Sequence, residues 1–110
     1  MFTPVELQYM GDVARQGGRA SIEKTVPVDV FWDESIRNSG NERYLNVGAD
    51  IKATFLFADP VSVTKIIPGR VYVKKGDELY KVVDSIPVID GLGLEATYDL
   101  LLKRVREYGS

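Results

Sequence analysis

The feature that most constrains this chain is the stretch from Arg70 to Val105, where apolar and polar residues alternate in three runs separated by two turn signals. Side chains along a strand point alternately to its two faces, so this pattern specifies strands; a helix would repeat its apolar residues every three or four positions. Val71 and Val73 alternate with Tyr72 and Lys74, and Lys75-Gly76-Asp77-Glu78 then offers a turn in which Gly76 can take a positive φ. Tyr80, Val82, Ile86 and Val88 hold the even positions of the next run, interrupted by Asp84, and Asp90-Gly91-Leu92-Gly93 marks a second turn. Ala96, Tyr98, Leu100 and Leu102 come next on one face, with Glu95, Thr97, Asp99 and Lys103 on the other. The reading is a β-meander whose inward face includes Val82 and Leu100.

Two earlier stretches have the same period. From Ala20 to Trp32 the apolar residues Ile22, Val26, Val28, Val30 and Trp32 fall on even positions, and Pro27, which has no N–H for a ladder, puts this strand at a sheet edge or at a bulge. From Ala49 to Phe57 the apolar set is Ala49, Ile51, Ala53, Phe55 and Phe57, with both phenylalanines expected in the core. Asp59-Pro60 can open one helical turn, while Val61-Ser62-Val63-Thr64 favours an irregular strand; Pro68-Gly69 turns the chain into the meander. With 45% hydrophobic residues in 110, the chain can build one modest core. The fold class is therefore mainly β, a small antiparallel β-barrel or sandwich over residues 20–110.

Two segments break the period. Thr3-Pro4-Val5-Glu6 has the form of a capping box with proline at the first helical position, and Val5, Tyr9 and Val13 lie four apart, so a short N-terminal helix is expected. Gly11 weakens it by about 1 kcal/mol relative to Ala, and Gly17-Gly18 separates it from the strand beginning near Ala20. Residues 1–19 accordingly read either as an arm that folds on a neighbouring protein through Val5, Tyr9 and Val13, or as a helix capping one open end of the barrel. Asp33 to Gly48 is polar, with Ile36, Tyr44, Leu45 and Val47 as its apolar residues, and reads as a long loop. A loop of that length is either functional or disordered; as a functional loop it would bind a partner through Ile36, Arg37, Arg43 and Tyr44.

Composition narrows the chemistry. The chain has no cysteine and no histidine, which excludes disulfides, thiolate zinc sites, cysteine nucleophiles and Ser-His-Asp triads. Carboxylates cluster at Asp33-Glu34, at Asp77-Glu78 and at Asp90 with Glu95, beside turns where backbone geometry favours them, and none has calcium-loop spacing. Gly91-Leu92-Gly93 lacks the third glycine and helix of a phosphate cradle. No catalytic residue, cofactor or metal ligand is assigned. Tyr72, Tyr80 and Tyr98 on neighbouring strands suit core and cross-strand packing, and as an alternative a base-stacking platform of the OB-fold kind. A net charge of −2 argues against nucleic acid as the main partner, and Arg15 to Arg19 is a linker more than an RNA-binding tract. No apolar run approaches the length of a spanning helix and no signal-peptide pattern opens the chain, so neither a membrane nor a secretion route is expected.

Several patches resemble one family. Val28-Asp29-Val30-Phe31-Trp32-Asp33-Glu34, then Phe55-Leu56-Phe57-Ala58-Asp59, then Gly69-Arg70-Val71-Tyr72-Val73 through Tyr80-Lys81-Val82-Val83-Asp84, and a last strand Tyr98 to Arg104, are similar to small head-tail joining, or head-completion, proteins of tailed phages, of the lambda joiner type. The similarity runs from about Val26 onward. It implies a compact β-barrel or sandwich with one short helix, and a non-enzymatic virion protein that joins head to tail as a homo-oligomeric ring, monomeric when free. Its partners would be phage structural proteins on the portal or connector side and on the tail side, with DNA only passing through the ring. Its place would be the virion, and the host bacterial cytoplasm during assembly. Two alternatives remain: a tail-tube or tail-completion component, and an OB-type barrel binding single-stranded nucleic acid.

Overall fold

A computed structural model describes residues 2–11, 22–56, 66–89 and 96–108. In chain order these form strands β1 (Thr3–Met10) and β2 (Ile22–Asp33), a 3-10 turn (Ile36–Ser39), helix α1 (Glu42–Asn46), and strands β3 (Ile51–Leu56), β4 (Val71–Lys75), β5 (Glu78–Ile89) and β6 (Ala96–Val105). The strands close into an antiparallel barrel in the order β1-β2-β3-β6-β5-β4. Two three-stranded meanders, β1 to β3 and β4 to β6, are thus sealed on each other by the β1–β4 and β3–β6 pairs. Closure pairs every strand with a neighbour on both sides, which limits the free edge that is the standing hazard of a small sheet protein, although among the described residues β2 meets β3 only from Phe31 to Asp33.

The meander has the form expected of it. Gly76 takes φ 58° at the first of two residues linking Lys75 to its cross-strand partner Glu78. Val82 and Leu100 are fully buried inside the barrel and Phe55 is 3% exposed, so the three faces assigned from sequence are correct. One parity is not. A bulge between Val82 and Asp84 inserts an extra residue into β5, so that Val82 opposes Leu102 and Asp84 opposes Leu101. Ile86, which shares even parity with Val82, lands opposite Asp99 on the outer face and packs in a second cluster. Phe57, the 59–64 segment and the second turn at 90–93 lie outside the described residues.

The expected N-terminal helix is a strand at Thr3–Met10. Val5 and Tyr9 fit either period, being four apart, but Leu7 between them completes an alternation that only a strand can use, and all three point into the barrel at 4%, 0% and 9% exposure for Val5, Leu7 and Tyr9. Pairing with both β2 and β4 supplies the backbone partners that a helix would have found in itself. The prolines permit it. Pro4 opposes Asp29 and Pro27 opposes Glu6, two residues apart in one ladder, so both fall in the class of pair whose N–H groups point away from the partner strand. On their far sides the ladders β1–β4 and β2–β3 begin only at Glu6 and Phe31 among the described residues, so neither proline interrupts a bond there.

The expected long loop is an ordered insertion. Asp33 Oδ1 accepts from the Ser35 amide at 2.9 Å and its hydroxyl at 2.6 Å, turning the chain off β2. Asn41 Oδ1 caps α1 by accepting from the Arg43 amide at 2.9 Å, and the Ala49 amide returns to the Tyr44 carbonyl at 3.0 Å. Ile36 and Ala49 are buried against Leu101 on the outer face of β6, with Tyr44, Val47, Val83 and Ile86 around them. Each short piece donates one or two apolar side chains, so no period was there to read.

Candidate functional surface

The barrel lumen is filled. Leu7, Val30, Val73, Val82, Leu100 and Leu102 are all at or below 1% exposure, and Phe55 stacks on Tyr98 with ring centroids 5.6 Å apart toward one end. A lumen of this size holds side chains and nothing else, so any recognition rests with the ends and the outer wall.

The other end is closed by an aromatic and ionic cluster. Trp32 meets Tyr80 edge-on at 5.0 Å, Lys75 Nζ sits 4.7 Å above the Trp32 ring, and the Trp32 indole N–H donates to Glu34 Oε1 at 3.0 Å. The Tyr80 hydroxyl donates to Glu78 Oε2, and Arg104 approaches the other oxygen of that carboxylate at 3.7 Å. The bond from Tyr80, assisted by Arg104 and Lys75, holds Glu78 below the usual carboxylate range. Burial, then the bond to Glu78, pushes the Tyr80 hydroxyl up to about 12. Both groups are displaced away from neutrality, opposite to what proton transfer near pH 7 requires. The cluster acts as a lid on the core.

On the wall, two coverings stand out. The insertion covers β5 and β6, tethered by Arg43 Nε to Asp84 Oδ2 at 2.8 Å, which holds Asp84 below its ordinary range and raises Arg43. Lys52 Nζ lies 5.9 Å from the Tyr44 ring centre. Farther round the wall, Tyr108 folds back over β1 and β4: its ring meets Tyr72 at 5.3 Å and its hydroxyl donates to Gln8 Oε1, satisfying a side chain that is 4% exposed.

The residues assigned to partner binding from sequence do not gather into one site. Val5 and Tyr9 are barrel core and Ile36 anchors the insertion, so all three are buried within the fold. Val13 lies outside the described residues. Arg37 belongs to the 3-10 turn; Arg43 is exposed and paired with Asp84, and Tyr44 is half-buried on the outer cluster. The tyrosines split likewise, Tyr72 on the wall and Tyr80 and Tyr98 toward opposite ends of the lumen, so they make no common platform. Sequence reasoning missed the apolar side chains that the fold leaves outside: Phe2, Ile22, Phe31, Leu45 and Ile67, at 43–58% exposure. Phe31 carried a signal, since its odd parity in β2 opposes that of Trp32. Among the described residues no group of His, Cys, Asp and Glu is placed to hold a metal ion, and no helix is long and apolar enough to cross a membrane. Compared with known proteins, the chain matches no protein-family profile, no curated protein and no solved structure.

Proposed function

We propose that the protein is a structural adaptor of a tailed phage, joining the head on its portal or connector side to the tail as a ring of identical subunits, with DNA passing through without being read. The observation that carries this reading is a filled barrel with large apolar side chains left on its wall, Phe2 and Phe31 foremost. A lumen without room for a ligand and an outside with unspent apolar surface suit a protein whose work is contact with other proteins. The patches from Val28 to Arg104 that resemble the joiners supply the identity of those partners. The tail-completion alternative differs only in the neighbour touched.

The test is assembly in a mixture. Heads and tails from a phage lacking this reading frame, incubated with purified protein, should yield infectious particles; no gain over buffer overturns the reading. The small closed barrel also suits an OB-type binder of single-stranded DNA, against which the net charge of −2 and the divided tyrosines weigh. A gel shift with a steep salt dependence would favour that binder.

A further inference from the structure

Two exposed patches of opposite character lie at opposite ends of β1. Phe2 and Phe31 flank the Thr3–Val30 pair at 58% and 51% exposure, and exposed Pro4 and Pro27 extend the apolar surface along the same wall. The charges around this patch, among the described residues, include Asp29, opposite Pro4, Glu6, opposite Pro27, Lys74 beside Glu6 on β4, and the Asp33–Lys52 pair beyond Phe31. At the far end of β1 the Met10 amide donates to the Arg70 carbonyl at 3.0 Å, drawing the Ile67–Arg70 turn against the strand. The result is a groove lined by Tyr9, Met10, Ile67 and Val71 and rimmed by Lys24 and Arg70, with Glu23 its one acid among the described residues. Ile67 is 47% exposed, and Ile22, opposite Met10, is 43% exposed.

We infer that these two patches are the two halves of one head-to-tail contact between copies of this chain. The Phe2–Phe31 surface of one copy seats on the Ile22–Ile67 groove of the next, with Asp29 and Glu6 facing Lys24 and Arg70. This rests on the adaptor reading and specifies the contact that would build its ring. Among the described residues the aromatic surface is net acidic, with Asp29, Glu6 and Asp33 against Lys74 and Lys52, and the groove net basic, with Lys24 and Arg70 against Glu23, so two aromatic surfaces placed face to face oppose like net charge while each complements the groove. Such heterologous contacts repeat from copy to copy and close into rings when the rotation permits. Rim charges steer encounter and the apolar centre holds it, so assembly weakens with salt.

Absence of native cysteine gives a clean test. Phe31→Cys and Ile67→Cys are both at exposed positions and leave the core intact. The double variant, oxidised at high concentration and low salt, should give a ladder of disulfide-linked multimers, reduced in high salt. The two single variants mixed should give the heterodimer well in excess of either homodimer. Homodimers of Phe31→Cys alone, dominating the mixture, would mean a face-to-face contact and overturn the assignment. Absence of any cross-link above the level of a control pair at Thr25 and Lys103 overturns it too. Particle assembly by wild-type protein in the mixing experiment, alongside a failed ladder, would remove this contact and leave the adaptor reading standing.

Discussion

The barrel interior and the outer cluster beneath the insertion share one strand, and the contrast is sharpest in Leu100, Leu101 and Leu102. All three are fully buried, yet Leu100 and Leu102 face the lumen while Leu101 faces Ile36 and Ala49 across the outer wall. The interior is assembled from six strands, each giving a regular series of side chains, so every residue is held by neighbours on several elements. The outer cluster is covered by three short pieces with few buried residues and a polar exterior. Burial is equal in the two places, but the few contacts under the insertion lead to the expectation that it opens without the barrel following.

Substitutions should separate the two regions. Leu100→Ala and Leu7→Ala should each cost about 2 to 5 kcal/mol in urea unfolding, by loss of transfer free energy and creation of a cavity in a wall that cannot collapse. Leu7 is the more telling of the two. A β1 that detached in solution would make Leu7→Ala nearly silent, and amides from Val5 to Tyr9 should instead exchange as slowly as those of β6 in the free protein.

A smaller effect is expected outside. Ile36→Ala should cost about 2 kcal/mol, the low end for such a truncation because the cover can settle. Its signature should be local: amides of residues 36–49 exchange faster while those of β3 and β6 keep their protection. Equal acceleration throughout would mean that the outer cluster is part of the same cooperative unit as the lumen.

The barrel end gives a third measure. Lys75→Ala removes the cation above Trp32 and should cost about 0.5 to 1 kcal/mol, as partly exposed cation–π contacts do, with a change in Trp32 fluorescence. Substitution at the exposed, outward Lys103 should be nearly silent by the same melt.

The smallest effect is the tether. Arg43 holds Asp84 below its ordinary value of 3.8, so in acid the unfolded chain binds the proton that the folded one refuses. The tether's contribution is complete above that ordinary value and is lost as pH falls through the lowered one. Protection of the insertion's amides, measured against their unfolded exchange rates at the same pH, should therefore fall in acid before the barrel melts, and Asp84→Asn should reduce that pH dependence to the part supplied by Asp33, which its bonds from Ser35 also hold low, while leaving the neutral-pH melt almost unchanged.

Sequence alone specifies the strands whose apolar residues alternate without interruption: the lower half of β2, β3, β4, the start of β5 and β6. A period of two over five or more residues has one physical solution, a strand with one buried face, and Phe55, Val82 and Leu100 are placed by it. Tertiary structure decided the rest. β1 is a strand because β2 and β4 offer it two ladders, and a helix of that length has too few internal bonds to compete. Ile86 changed face through a one-residue bulge that no local pattern announces. The insertion is ordered because Leu101 on the outer wall of β6 is covered by Ile36 and Ala49, with Tyr44 and Val47 beside them, residues far from it in sequence. The outward-facing phenylalanines were visible as letters from the start. Only closure of the barrel, by turning Val26, Val30 and the rest of that face of β2 inward, left Phe31 on the outer wall, where Phe2, Ile22, Leu45 and Ile67 are exposed as well.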